Sequence, residues 1–143
     1  MVTLGWALAL GVGIGICVGG WYWVKHRKTK GNSLFAFKDL ISNQVVMDTA
    51  NGRLLAAWFR ENANDAEGTP VFFLAKPCAQ TVEMFGLDAI PQGLDITHNL
   101  LQVVVDEGKK LPVAMRMVSF GSIDADLEKA FNGRNFLVVK SDT

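Results

Sequence analysis

The chain is poor in the residues that build most recognisable reaction centres. It has two cysteines and two histidines in 143 residues. Cys17 and Cys78 lie far apart, as do His26 and His98, so no spacing offers the four clustered ligands of a closed zinc site. No phosphate-binding Gly-rich loop with Lys-Ser/Thr is present, nor a Gly-x-Ser-x-Gly elbow. Gly11-Val12-Gly13 starts like a dinucleotide fingerprint, but Ile16 stands where the third glycine belongs. Asn-x-Ser/Thr is missing throughout, which removes any N-glycosylation acceptor. These absences imply no cofactor and no metal, and they weigh against an enzyme.

Charge is missing in a more telling way. From Met1 to Val24 there is no Asp, Glu, Lys, Arg or His. At about 1.5 Å per residue such a helix reaches roughly 34 Å, enough to cross a hydrocarbon core of ~30 Å. Trp21, Tyr22 and Trp23 close the run with rings suited to the headgroup level. Lys25, Arg27, Lys28 and Lys30 follow as a basic collar, with His26 among them. The sequence thus predicts a transmembrane anchor over 1–24 and a basic juxtamembrane linker over 25–33. A cleaved signal peptide would carry its positive charge before the apolar run and a small-residue cleavage site after it. A lipobox would place a small residue before Cys17, where Ile16 stands.

The formal net charge of zero is therefore a sum of unlike parts. An uncharged segment is followed by four basic residues and by a body, 31–143, with ten Lys/Arg and fourteen Asp/Glu. A mildly acidic body excludes nucleic acid as the expected partner, because phosphate binding needs a basic face. Basic residues beside a span stay on the cytoplasmic side. The expectation is a single-pass protein of the cell membrane, N-terminus outside and body in the cytoplasm.

Gly11, Gly15 and Gly19 repeat every four residues, forming one stripe along the span. Small residues at this spacing let two helix backbones approach closely. The expected partners are the lipid bilayer, another transmembrane helix of this or a foreign chain, and an unidentified cytoplasmic protein.

The body, 34–143, reads as one small α+β domain. Leu34–Phe37 is a short apolar start, read as a strand or an interfacial contact, and Asp39–Met47 is ambiguous. Leu54, Leu55, Trp58 and Phe59 share a helical face over 53–60. Val71–Ala75 reads as a buried strand, and Cys78–Phe85 as a short helix closed by Gly86. Asn99–Asp106 and Leu111–Phe120, joined by Glu107-Gly108-Lys109-Lys110, read as a β-hairpin. Ser122 is expected to cap a helix buried through Ile123, Leu127, Ala130 and Phe131, before a last strand at Phe136–Val139.

Cys78 stands between a strand and a helix, a layout that resembles thioredoxin-like proteins. However, Cys-x-x-Cys is missing, and only twenty residues, 79–98, separate it from the hairpin. Cys78, His98 and Asp95 are the residue types of a thiol with a general base and its orienting acid. Asp124-Ala125-Asp126-Leu127-Glu128 resembles part of a calcium loop, but Lys129 occupies its glycine position and acids suit a first helical turn. Asp65, Glu67, Asp106 and Glu107 are expected to be solvated turn residues. The aromatics Trp58, Phe59, Phe72, Phe73 and Phe85 are expected in the core, with a groove as the alternative. Three functions follow: a membrane-anchored, non-catalytic interaction or assembly module, a membrane-tethered thiol- or Cys/His-dependent enzyme, and a small-ligand sensor.

Overall fold

The computed structural model describes residues 35–109 and 111–139. The span, the collar and the glycine stripe lie outside the described residues. Among those described, no helix is long and apolar enough to cross a membrane.

Residues 37–139 form a small mixed α/β domain built on a five-stranded sheet. The elements run α1 (Phe37–Ser42), β1 (Val45–Ala50), α2 (Gly52–Asn62), β2 (Pro70–Ala75), α3 (Ala79–Phe85), β3 (Asn99–Asp106), β4 (Leu111–Ile123), α4 (Ala125–Phe131) and β5 (Phe136–Val139). A short 3-10 turn, Ala63–Asp65, follows α2. Strand order is β1-β4-β3-β2-β5. β1 runs parallel to β4, and every other neighbouring pair is antiparallel. β1, β2 and β4 therefore end at one edge of the sheet, where β3 and β5 begin.

Alternation along the strands feeds two cores. On one face Phe72 and Leu74 of β2, Leu100 and Val104 of β3 and Val118 of β4 pack with Leu55 and Phe59 of α2 and Leu127 and Phe131 of α4. On the other, Phe73, Leu101, Val103 and Met117 pack with Phe37 and Leu40 of α1 and Met84 and Phe85 of α3. A sheet covered on both faces needs central strands that are apolar throughout, so all eight positions of β3 are buried.

The hairpin forms where expected, with β4 extended to Ile123. A register shift between Val104 and Val105 marks a bulge beside Pro112, which has no N–H to give the ladder. Four readings change. Of the stretch read as a strand or an interfacial contact, the described residues 35–37 form no strand, and Phe37 opens α1 with its side chain fully buried. The ambiguous stretch divides into the end of α1 and β1. Ser122 belongs to β4, and Asp124 caps α4 by accepting from the Asp126 N–H at 3.2 Å. Leu54 is exposed, so the α2 face is narrower than its spacing suggested.

Asp106 makes a fifth change, and the largest. It is buried, not solvated. Its carboxylate accepts from the backbone N–H groups of Glu67 at 3.0 Å, Gly68 at 3.3 Å, Gly108 at 2.9 Å and Lys109 at 3.3 Å. Burial alone pushes its pKa up, but the four donors outweigh that and hold it below the usual carboxylate range. One acid thus ties the loop before β2 to the β3–β4 turn. The approach explains Gly68, where a Cβ would stand 3.2 Å from the Asp106 Oδ1.

Candidate functional site

The edge at which β1, β2 and β4 end carries a cavity of about 280 Å³. Its wall is drawn from four stretches: Lys76–Cys78 after β2, Ile96, Thr97, Asn99 and Leu100 at the start of β3, the end of β4 with α4, and Asn135 before β5.

Cys78 is the N-cap residue of α3 and lines the cavity. Its backbone N–H donates to the Thr81 hydroxyl at 3.0 Å. That hydroxyl, fully buried, lies 2.9 Å from the Lys76 carbonyl and 2.8 Å from the Cys78 carbonyl, and its single proton serves one of them. Thr81 therefore fixes the backbone turn that presents the thiol.

The facing wall is organised by Asp95. Its Oδ1 accepts from the Thr97 N–H at 2.9 Å and from the Thr97 hydroxyl at 2.6 Å. Its Oδ2 lies 2.8 Å from His98 Nδ1. This is an Asx-type turn, in which a short acidic side chain replaces backbone pairing. The Thr97 hydroxyl first, then the Thr97 N–H and His98, lower the Asp95 pKa to about 2.

Asn99 completes this wall. The residue is 6% exposed. Its Nδ2 donates to the Asp95 carbonyl at 2.6 Å, which fixes the amide orientation. Its Oδ1 is shielded from solvent and accepts no hydrogen bond among the described residues.

The fold thus gathers Asp95, His98 and Cys78 at one edge of the sheet. Asp95 and His98 pair directly. Cys78 shares the cavity with Thr97 and Asn99, whereas the His98 ring lies outside the lining, against Phe120 at 6.1 Å between centroids. No hydrogen bond joins Cys78 to His98. Among the described residues, no group of three His, Cys, Asp or Glu side chains is placed to hold a metal. Asp124 and Asp126 serve the start of α4 through the cap already described.

Phe59, Phe72, Phe73 and Phe85 are core residues, and Phe59 stacks on Phe72 at 4.9 Å. Trp58 packs beside them under the Arg116 guanidinium, 5.1 Å from its ring. The cavity lies instead beside Phe120 and Phe131. Asn99 and Thr81 were not anticipated from the sequence. The one signal for Asn99 was a polar side chain heading a strand whose next two residues are leucines.

Comparison of the chain with protein-family models, with curated proteins and with solved structures gives no match.

Proposed function

We propose that this chain is a single-pass membrane-anchored, non-catalytic interaction module with its body on the cytoplasmic side. The charge-free run 1–24 anchors it, the collar orients it, and the stripe Gly11, Gly15 and Gly19 receives another transmembrane helix. For the body, the observation that carries the reading is the sheet edge formed by β1. β1 pairs only with β4, so its outer side has no strand partner among the described residues. Val46 on this strand is 74% exposed, the largest exposure of any bulky apolar side chain described. Open edges of this kind are templates for strand addition. The occupant we assign is an extended segment of a cytoplasmic protein, with apolar residues for Val46 and basic ones for the exposed Asp48.

The test uses the full chain in its membrane. A photo-crosslinking residue at Val46 should give a discrete adduct that the same residue at Lys129, on α4, does not. Gly15→Leu should lower span association in a membrane two-hybrid assay. Equal crosslinking at both positions, together with unchanged association, would refute the proposal.

The enzyme reading is less favoured, since His98 is not among the residues lining the cavity with Cys78 and no hydrogen bond joins the two. Small-ligand sensing has a specific observation behind it, the cavity itself.

A further inference from the structure

Asn-Gly occurs twice in the chain, at Asn51-Gly52 and at Asn132-Gly133. This dipeptide has a chemistry of its own, because no side chain on the glycine hinders its backbone nitrogen. That nitrogen can lose its proton and attack the asparagine Cγ. A new C–N bond closes a five-membered succinimide, and the side-chain nitrogen leaves as ammonia. Water then opens the ring at one carbonyl or the other, giving aspartate or isoaspartate. Water is consumed, ammonia is released, and nothing is oxidised or reduced. We propose that Asn132 undergoes this conversion in the folded protein while Asn51 is held from it, so that the joint between α4 and β5 is a site of spontaneous deamidation. The inference is independent of what the β1 edge or the glycine stripe receives.

The fold treats the two pairs differently. Asn51 is the N-cap of α2. Its Oδ1 accepts from the Arg53 N–H at 2.8 Å, and its carbonyl accepts from the Leu55 N–H at 3.0 Å. Gly52, which would supply the attacking nitrogen, is buried as the first residue of α2. Ring closure there must swing the carboxamide off Arg53 and undo the first turn of the helix.

Asn132 is exposed, and its side chain makes no hydrogen bond among the described residues. The Gly133 N–H likewise has no acceptor among them. A Cβ built on Gly133 would meet nothing within 4 Å, so the nitrogen lies in open space. Asp126, Glu128 and Lys129 line an open hollow with these two residues, which gives water access. Asn132 also has a φ of 48°, the one positive value of a non-glycine residue among those described. An L-residue held there gains by rotating away. Against rotation stand the Asn132 N–H to the Glu128 carbonyl at 3.3 Å and the Arg134 N–H to the Phe131 carbonyl at 2.8 Å. Both lie in an exposed turn, and neither restrains the carboxamide.

Either product alters the joint. Aspartate places a negative charge at the C-terminus of α4, where unpaired carbonyls already concentrate negative charge. Isoaspartate adds a methylene to the main chain directly after Phe131, a core residue. β5 follows at the edge of the sheet and pairs only with β2. Conversion should therefore loosen β5.

The experiment ages the full chain in lipid nanodiscs in mildly alkaline buffer, with and without urea. Samples are digested in acid with pepsin, which halts the reaction. Chromatography with mass spectrometry then separates the asparagine, aspartate and isoaspartate forms of each peptide. In the folded chain Asn132 should be lost about tenfold or more faster than Asn51, the effect of the bonds that Asn51 must break. Its loss should quicken with rising pH, because the attacking nitrogen must give up its proton. In urea the two sites should react at comparable rates. An Asn132 that stays intact in the folded chain, or is lost no faster than Asn51, would overturn the proposal. So would the same disparity persisting in urea, since local sequence and not the fold would then set it. Hydrogen exchange at Phe136–Val139 should be faster in converted chains, and unchanged exchange would overturn the claim that the joint loosens.

Discussion

Replacing Gln102 by leucine removes two hydrogen bonds from the middle of the sheet with little change of volume. Gln102 is fully buried in β3. Its Nε2 donates to the Leu55 carbonyl of α2 at 2.8 Å, and its Oε1 accepts from the Arg116 Nε of β4 at 2.6 Å. The same guanidinium lies over Trp58, so one amide couples the sheet, a helix and an aromatic contact. A neutral bond contributes about 1 kcal/mol net and a bond to a charged group about 1.5–3 kcal/mol. Against this, leucine adds apolar burial of about 1–2 kcal/mol. The helical Leu55 carbonyl loses one of two acceptor roles, while Arg116, only partly buried, recovers some hydration. The balance is a loss of about 1–2 kcal/mol, equivalent to a fall in Tm of roughly 10 °C for a domain of this size. Calorimetry of the full chain and its variant provides the measurement. Arg116→Met, alone and combined with Gln102→Leu, completes a double-mutant cycle. The coupling should exceed about 0.5 kcal/mol, because the two side chains share a bond. A Gln102→Leu variant as stable as the parent, or a coupling near zero, would refute the claim that this amide ties α2 to the sheet.

Other outcomes follow from the same geometry. The Asp95 carboxyl should titrate near pH 2, below its ordinary value of 3.8, as followed by side-chain carbon shifts in NMR. Because its folded pKa is depressed, its stabilisation of the 95–98 turn is complete above pH 3.8 and fades as pH falls toward 2; a midpoint near 4 would count against the Thr97 and His98 contacts. Gly86 closes α3 at a φ of 68°. Gly86→Ala should therefore cost about 1–2 kcal/mol in a urea titration, and a neutral result would mean that the turn relaxes freely. Protease added to intact cells or spheroplasts should leave the body whole, whereas cleavage from outside would reverse the proposed orientation.

The parts of the fold that could be read from the sequence are those with redundant signals. β3 and β5 have their expected bounds, because unbroken apolar runs between turn residues suit strands covered on both faces. β1 was hidden by its place at the edge. Val45 to Ala50 mixes exposed and half-buried positions with one buried residue, Ala50, and carries Asp48 and Thr49, so no alternation stands out. α1 was too short, at six residues, to display a helical period beyond Phe37 and Leu40. Asp106 was misread for a different reason. An acid before Glu-Gly-Lys-Lys looks like solvent chemistry, and its four donors come from two turns nearly forty residues apart, as the Gly68 bond shows. Of the candidate site, the Asp95–His98 pairing follows from i, i+3 spacing in a turn. The shared cavity depends on which strand ends the sheet order brings together, and no local pattern encodes that.

The parallel pairing of β1 with β4 has a bearing on how the chain is made. Thr49 and Ser122, joined by their hydroxyls at 3.0 Å, are 73 positions apart. At about 5–20 residues per second, translation separates their appearance by roughly 4–15 s. During that interval β1 has no strand to join, while the later β3–β4 hairpin closes across one short turn. Assembly should then begin with the hairpin and finish with the edge strand. Ribosome-bound chains stalled before β4 would expose Met47 and Ala50 to chaperones, and released chains, in which both pack into the core, would not. The strand offered for docking in the finished protein would be the last to enter the sheet.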